Sequence, residues 1–350
     1  MSNAEITIRS IWTPDSTYTH HRIPGILISS RGTVIIYNEA RRDGSDWAHM
    51  DIFIQRSEDH GKSFGDPIYI ARGTDKYKTV NNPVMLEDSL GRLHILYLRD
   101  YSIKGGGAWQ RISEDDGITW SEPRELTEFS RPELHNAFAF GPGHGIRTRE
   151  GMLLVPIWMV LKSANAPIGD HWPSVISTFC SNDNGETWFM GEIIGSVGGA
   201  HYPGVVFPNE TVAAETSDGR IILNIRSFNR YRALSYSDSG YGGWSVPKAR
   251  SDMPDPCCFG SIAKYDGLDG QYALIAVNCA DEHDRVNITV RASLDDGRTW
   301  NIKRTVDADR GGYVDIATDE KNGFIYLIYE DKAGSSAVYL ARMTPDWLIK

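Results

Sequence analysis

An all-β chain made of a radially repeated unit is predicted by three observations on this sequence of 350 residues. First, the pattern Ser-x-Asp-x-Gly-x-(Thr/Ser)-(Trp/Phe) occurs at Ser57 to Phe64, Ser113 to Trp120, Ser181 to Trp188 and Ser293 to Trp300, with a decayed copy at Ser237 to Trp244. Second, the first serines of successive copies lie 56, 68, 56 and 56 residues apart. That period is too long for a solenoid turn and suits a four-stranded propeller blade. Third, β-branched and aromatic runs flank each copy, as from Asp51 to Ile70, and read as the arms of a hairpin. Strand-rich stretches before the first copy and after the last leave room for six blades. The expectation is a six-bladed β-propeller, four antiparallel strands per blade, as a single domain over residues 1–350.

The chemistry of each box fits a turn. Asp59, Asp115, Asp183 and Asp295 are placed to accept hydrogen bonds from backbone N–H groups, the glycine permits positive φ, and the terminal aromatic packs between sheets. Calcium binding is the functional alternative, but an EF-hand loop needs more carboxylates and a distal Glu. The boxes therefore read as scaffold.

Composition narrows the partners. A net charge of -10 argues against nucleic acid or an anionic membrane surface. No apolar run reaches transmembrane length, and the N-terminus MSNAEITIRS lacks the basic start and apolar core of a signal peptide. No membrane insertion and a cytoplasmic location are expected. Cys180, Cys257, Cys258 and Cys279 form no Cys-x-x-Cys pattern and read as buried free thiols in a reducing compartment. The 10 histidines offer no His-x-x-x-His pair: His20 and His21 are adjacent, and His49, His135, His144, His171 and His201 are scattered. Gly141 to Gly145 lacks the Gly-x-Gly-x-x-Gly spacing of a dinucleotide fingerprint. No metal and no cofactor are expected.

Near the N-terminus the chain reads His21-Arg22-Ile23-Pro24, then Glu39-Ala40-Arg41-Arg42-Asp43-Gly44-Ser45-Asp46, then the first box. Here it resembles the exo-sialidases (neuraminidases), whose hallmark is an Arg-Ile-Pro motif upstream of repeated Asp boxes. Further landmarks follow in order: Asn82-Pro83, Gly141-Pro142-Gly143-His144-Gly145-Ile146, Asn209-Glu210, Asn224-Ile225-Arg226, Arg285 to Arg291 and Gly312-Tyr313-Val314-Asp315. The resemblance implies a catalytic sialidase propeller with no separate carbohydrate-binding module, acting on sialylated glycans or oligosaccharides.

What the resemblance implies about residues is chemically coherent. Sialic acids carry a carboxylate on the anomeric carbon, and a planar, permanently charged guanidinium suits it. The family uses three arginines, and motif by motif these are Arg22, Arg226 and Arg285. The same carboxylate would repel an Asp or Glu nucleophile, and sialidases use a tyrosine instead. Tyr313 occupies that position, with Glu210 as its base; unaided, only about one phenol in a thousand is ionised at neutral pH. Asp46 is the candidate acid/base, with Asp43 and Asp51 as nearby alternatives, Asp51 being suited to beginning a strand. Arg41 and Asn82 look like the residues that contact the sugar's hydroxyl and N-acyl side, and Glu330 like the carboxylate that orients Arg22. Trp109 or Trp172 could line a pocket for the N-acyl methyl, although with 10 tryptophans a packing role is favoured.

Three positions depart from the family pattern: His21 before Arg-Ile-Pro, Val314 after the nucleophile and Phe259 before Gly-Ser. Their expected effect is on pocket shape, hence on acyl substituent and linkage. Other readings stay open: a non-hydrolytic propeller that binds sialoglycans, a trans-sialidase, or a hydrolase for a deaminated nonulosonic acid.

Overall fold

The computed structural model describes residues 4–99, 106–164, 171–195, 205–331 and 336–350. His201 lies outside them. Six antiparallel sheets form the ring. The first is the meander His20–Ile28, Val34–Arg41, Met50–Ser57 and Ile68–Arg72, and the second runs Val80–Glu87, Leu93–Arg99, Gly107–Ser113 and Arg124–Glu125. The third comprises His135–Phe140, Leu153–Leu161, Val175–Ser181 and Phe189–Met190; the fourth, Thr211–Glu215, Ile221–Ile225, Tyr231–Ser237 and Lys248–Pro254; the fifth, Ser261–Leu268, Gln271–Cys279, Ile288–Ser293 and Ile302–Asp307. The sixth takes Val314–Asp319, Phe324–Glu330 and Val338–Met343 from the end of the chain and completes itself with Ile6–Trp12 from the beginning. The predicted six-bladed propeller is what the chain adopts.

Strands near the axis are covered on both faces, so they read as unbroken runs of buried residues. Val34–Arg41 and Leu153–Leu161 are buried at every position. The core lies between neighbouring sheets rather than inside any one of them, and the apolar clusters accordingly draw on several blades at once.

In the first five blades the third strand runs into the fourth through the box, decayed in the fourth blade. In the second blade Ser113 Oγ donates to Asp115 Oδ1 at 2.8 Å, Thr119 N donates to the same oxygen at 2.8 Å, and Thr119 Oγ1 donates to Asp115 Oδ2 at 2.6 Å. Gly117 N returns a bond to Ser113 Oγ at 2.8 Å. The same pattern recurs around Asp59, Asp183 and Asp295. The carboxylates are thus occupied by their own turns, as the scaffold reading requires. In the decayed copy Ser239 stands where the Asp should be, and Ser237 Oγ turns to the carbonyl of Gly242.

The glycine landmark Gly141 to Gly145 does not form a surface loop. Gly143–His144 runs parallel to Val84–Met85 of the second blade and adds a fifth strand there, in the middle of the ring. Gly143 has φ of +83°, and a Cβ on it would meet the Phe259 ring at 2.8 Å. Only glycine fits that combination of conformation and space.

Candidate active site

Antiparallel order decides which loops share an end. Box turns join third to fourth strands, so they gather at one edge of the ring. Starts of first strands and ends of second strands gather at the other. Arg22, Arg41, Asn82, Glu210, Arg226, Arg285, Tyr313 and Glu330 all sit at that second end, with Asp46 in the loop after Arg41.

Apart from Glu330, which lies behind the wall, all the predicted site residues line one pocket of about 260 Å³. Its floor is Tyr313, which is only 7% exposed. Tyr313 Oη donates to Glu210 Oε1 at 2.7 Å. Arg226 Nη1 donates to Tyr313 Oη at 2.8 Å and also to Glu210 Oε2. The guanidinium carbons of Arg22, Arg285 and Arg226 stand 5.4, 5.6 and 5.9 Å from the centre of the Tyr313 ring. Burial, and then the negative Glu210, hold the phenol neutral and push its pKa far above the ordinary value, with Arg226 and Arg285 pulling the other way.

Two buried carboxylates hold this arrangement across blade boundaries. Glu330 Oε1 accepts from Arg22 Nε at 2.7 Å and from Ile23 N at 2.9 Å, while its Oε2 accepts from Tyr313 N at 3.1 Å. Glu330 is the first cause of the raised Arg22 pKa, so this guanidinium stays charged despite its burial. Ile23 has φ of +54° and precedes Pro24, an uncommon conformation for a β-branched residue. It sits where the first-strand pairing skips between Arg22 and Gly25, a bulge that aims Arg22 into the pocket.

Glu39, to which the sequence reading gave no role, does the same one blade further on. Its Oε2 accepts from Arg41 Nε and Nη2 at 2.9 and 2.5 Å, and its Oε1 accepts from Asn82 N at 2.6 Å. Asn82 likewise has positive φ, +50°, precedes Pro83 and lies in a skipped register. The signal was present: Glu39 and Arg41 are two apart on one strand and therefore share a face.

Arg41 Nη1 is left free to reach Asp46 Oδ1 at 2.7 Å. Asp46 is 58% exposed at the pocket rim. Burial raises its carboxyl, but the charge and hydrogen bond of Arg41, then Arg22 and His171, bring it net below the ordinary carboxylate value. Its sequence rivals lie elsewhere: Asp43 caps its own loop through Ser45 N, and Asp51 is buried against Tyr18 Oη and Gly73 N.

Trp47, Asn81, Trp158 and His171 also line the pocket, and none of them was singled out from sequence as a wall residue. Of the two tryptophans considered, Trp172 lines it, its ring tilted by 60° against Phe228 with ring centres 4.1 Å apart, contrary to the favoured packing role. Trp109 stays outside, under Arg99. None of the three departures lines the pocket, so any effect on its shape passes through the residues they support. His21 is buried against Trp12, Val314 is buried, and Phe259 supports the Tyr313 ring from behind at 5.5 Å.

Residues 32–327 match the BNR repeat-like domain. The chain belongs to that family. Among curated relatives of this BNR repeat protein, a sialidase of Micromonospora viridifaciens is 27% identical over 91% of the chain and 50% of its own length. A sialidase of Bacteroides fragilis is 26% identical over 90% of the chain and 61% of its own length. The chain thus spans about half to three fifths of these relatives. An intramolecular trans-sialidase from Ruminococcus gnavus, solved with oseltamivir carboxylate, superposes with a TM-score of 0.80 at 18% identity, over 96% of each chain. At that identity the match speaks for the shared fold, and the sequence relatives carry the resemblance to sialidases.

Proposed function

We propose that this protein is an exo-α-sialidase that cleaves terminal α-linked sialic acid from glycans with retention at the anomeric carbon. The observation that carries this reading is the Tyr313–Glu210 hydrogen bond of 2.7 Å set among three arginines. A neutral phenol with its base already in contact, inside a cationic ring, suits attack on a carbon that bears a carboxylate.

In the first step Arg22, Arg226 and Arg285 hold the substrate carboxylate while Tyr313 Oη attacks the anomeric carbon and passes its proton to Glu210. The glycosidic C–O bond breaks, and Asp46 donates its proton to the departing oxygen. In the second step Asp46 takes a proton from water, the water oxygen attacks the anomeric carbon, the bond to Tyr313 breaks and Glu210 returns the proton to the phenol. Two inversions give net retention. Arg41 and Asn82 would meet the hydroxyl and N-acyl side of the sugar.

Because Asp46 is held ionised by Arg41 and Arg22, its role as acid needs a reason. The substrate supplies one: its carboxylate pairs with Arg22, cancels part of the field that lowers Asp46 and covers the rim from water.

The test is release of 4-methylumbelliferone from the α-glycoside of N-acetylneuraminic acid by wild type, Tyr313→Phe and Asp46→Ala. Wild-type turnover that drops about 1000-fold or more in Tyr313→Phe supports the reading. Mass analysis of the released sugar separates hydrolysis from internal transfer, since an anhydro product is lighter by one water. No turnover by the wild type would sink the proposal.

A further inference from the structure

We propose that His144, in the glycine-rich plug at the propeller axis, is a positioning residue for Tyr313 that acts through Asp315. The role assumed for Tyr313 rests on the sialidase reading above; the mechanical link to it does not.

The chain of contacts starts at the nucleophile. Tyr313 immediately precedes Val314–Asp319, the innermost strand of the sixth blade, and continues its ladder by accepting from Glu330 N at 3.0 Å, so it shares a face with Asp315 two residues on. Asp315 is fully buried, and among the described residues the hydrogen bonds of its side chain all cross to other parts of the ring. Its Oδ1 accepts from His144 Nδ1 at 2.8 Å and from Ser261 Oγ of the fifth blade at 2.7 Å. Its Oδ2 accepts from Ile26 N of the first blade at 3.1 Å. A buried carboxylate needs such donors, and with them satisfied it has one place to be.

His144 is in turn fixed from three sides. It pairs with Met85 of the second blade, Gly145 N donates to Met85 O at 2.9 Å, and Tyr37 Oη donates to Gly143 O at 2.9 Å. The same plug meets Tyr313 by a second route. Gly143 gives way to the Phe259 ring, and Phe259 lies against the Tyr313 ring at 5.5 Å. The plug therefore supports both the backbone below Tyr313 and one side of its phenol. Such support matters because a displacement of about 1 Å in a reacting group costs on the order of 100-fold in rate.

The experiment compares His144→Leu, which removes the donor, with His144→Asn, whose side-chain amide can still donate to Asp315. Three quantities are read: kcat on the umbelliferyl sialoside, the calorimetric Kd for 2-deoxy-2,3-didehydro-N-acetylneuraminic acid, and deuterium uptake by peptides covering residues 313–319. In His144→Leu we expect kcat to fall by about tenfold to 100-fold, Kd to stay within about threefold because the arginines are untouched, and uptake at 313–319 to quicken. His144→Asn should recover most of the loss. A kcat unchanged per folded molecule, or Kd weakened as much as kcat with no recovery by Asn, overturns the proposal. Should His144→Leu not fold, Ser261→Ala removes the other donor to the same oxygen and is judged by the same three readings. Should the wild type prove inactive, the sialidase reading falls, while the uptake comparison still decides the link: unchanged exchange at 313–319 refutes it.

Discussion

The two ends of this ring are made from the same six sheets under opposite constraints. At one end four turns repeat the same residues and the same hydrogen bonds, from Asp59 to Asp295. At the other end no two blades contribute the same set of side chains, and two of the positions that shape the site, Ile23 and Asn82, hold positive φ immediately before a proline. Repetition marks where the fold is secured; strain and variety mark where chemistry is placed.

That contrast can be broken most sharply at Glu39. Replacing it with Leu leaves Arg41 buried with Asp46 as its remaining carboxylate and frees Asn82 N, so we expect a loss of about 3 kcal/mol of stability together with roughly 100-fold in kcat/KM. Urea denaturation and steady-state kinetics on the same preparation check both numbers. Full stability would mean that the site end is not braced by this carboxylate.

A smaller effect tests the electrostatics of the rim. The free protein holds Asp46 below the ordinary carboxylate value, so on the proposed mechanism protonated acid is scarce until substrate neutralises Arg22. The descending limb of kcat should therefore lie at higher pH than that of kcat/KM, because the first reports the bound complex and the second the free protein. Coincident limbs would remove the coupling between Arg22 and Asp46.

The box end should respond in stability alone. Asp115 has its carboxyl lowered from 3.8 to about 2, against the opposing effect of burial, by the Thr119 and Ser113 hydrogen bonds. A lowered folded-state value contributes stability that is complete above the unfolded value and disappears as pH falls through the folded one. Asp115→Ala should cost about 1 kcal/mol at neutral pH and leave kcat unchanged. The difference from wild type should vanish between pH 4 and pH 2. An activity loss in this variant would show that the two ends are mechanically coupled through the second blade.

The fold was legible because a box repeats what it encodes: a period of 56 residues and an aromatic at the end of each copy expose the blade without any long-range information. The pocket residues were legible as motifs, and their convergence followed from strand direction, since inner strands all begin at one end. The Glu39–Arg41 pair was legible from its spacing, but the bond of Glu39 to Asn82, the role of Asp315 and the support of Tyr313 by Phe259 were not, because these contacts cross between blades. Nothing local in the sequence reveals that Asp315 meets His144 across 171 positions. Trp172 was named but ranked below a packing role for a different reason: an aromatic in a pocket wall and one in a core look alike in sequence.

The sixth blade has one more implication, for the order of events during synthesis. Its outer strand, Ile6–Trp12, is made before the other five blades, and its other three strands after them. Arg22 meets Glu330 only when a span of 308 residues has closed, and Tyr313 N donates to the same carboxylate. A nascent chain therefore has its first three boxes long before it has the pocket, and the pocket must wait for the ring to shut.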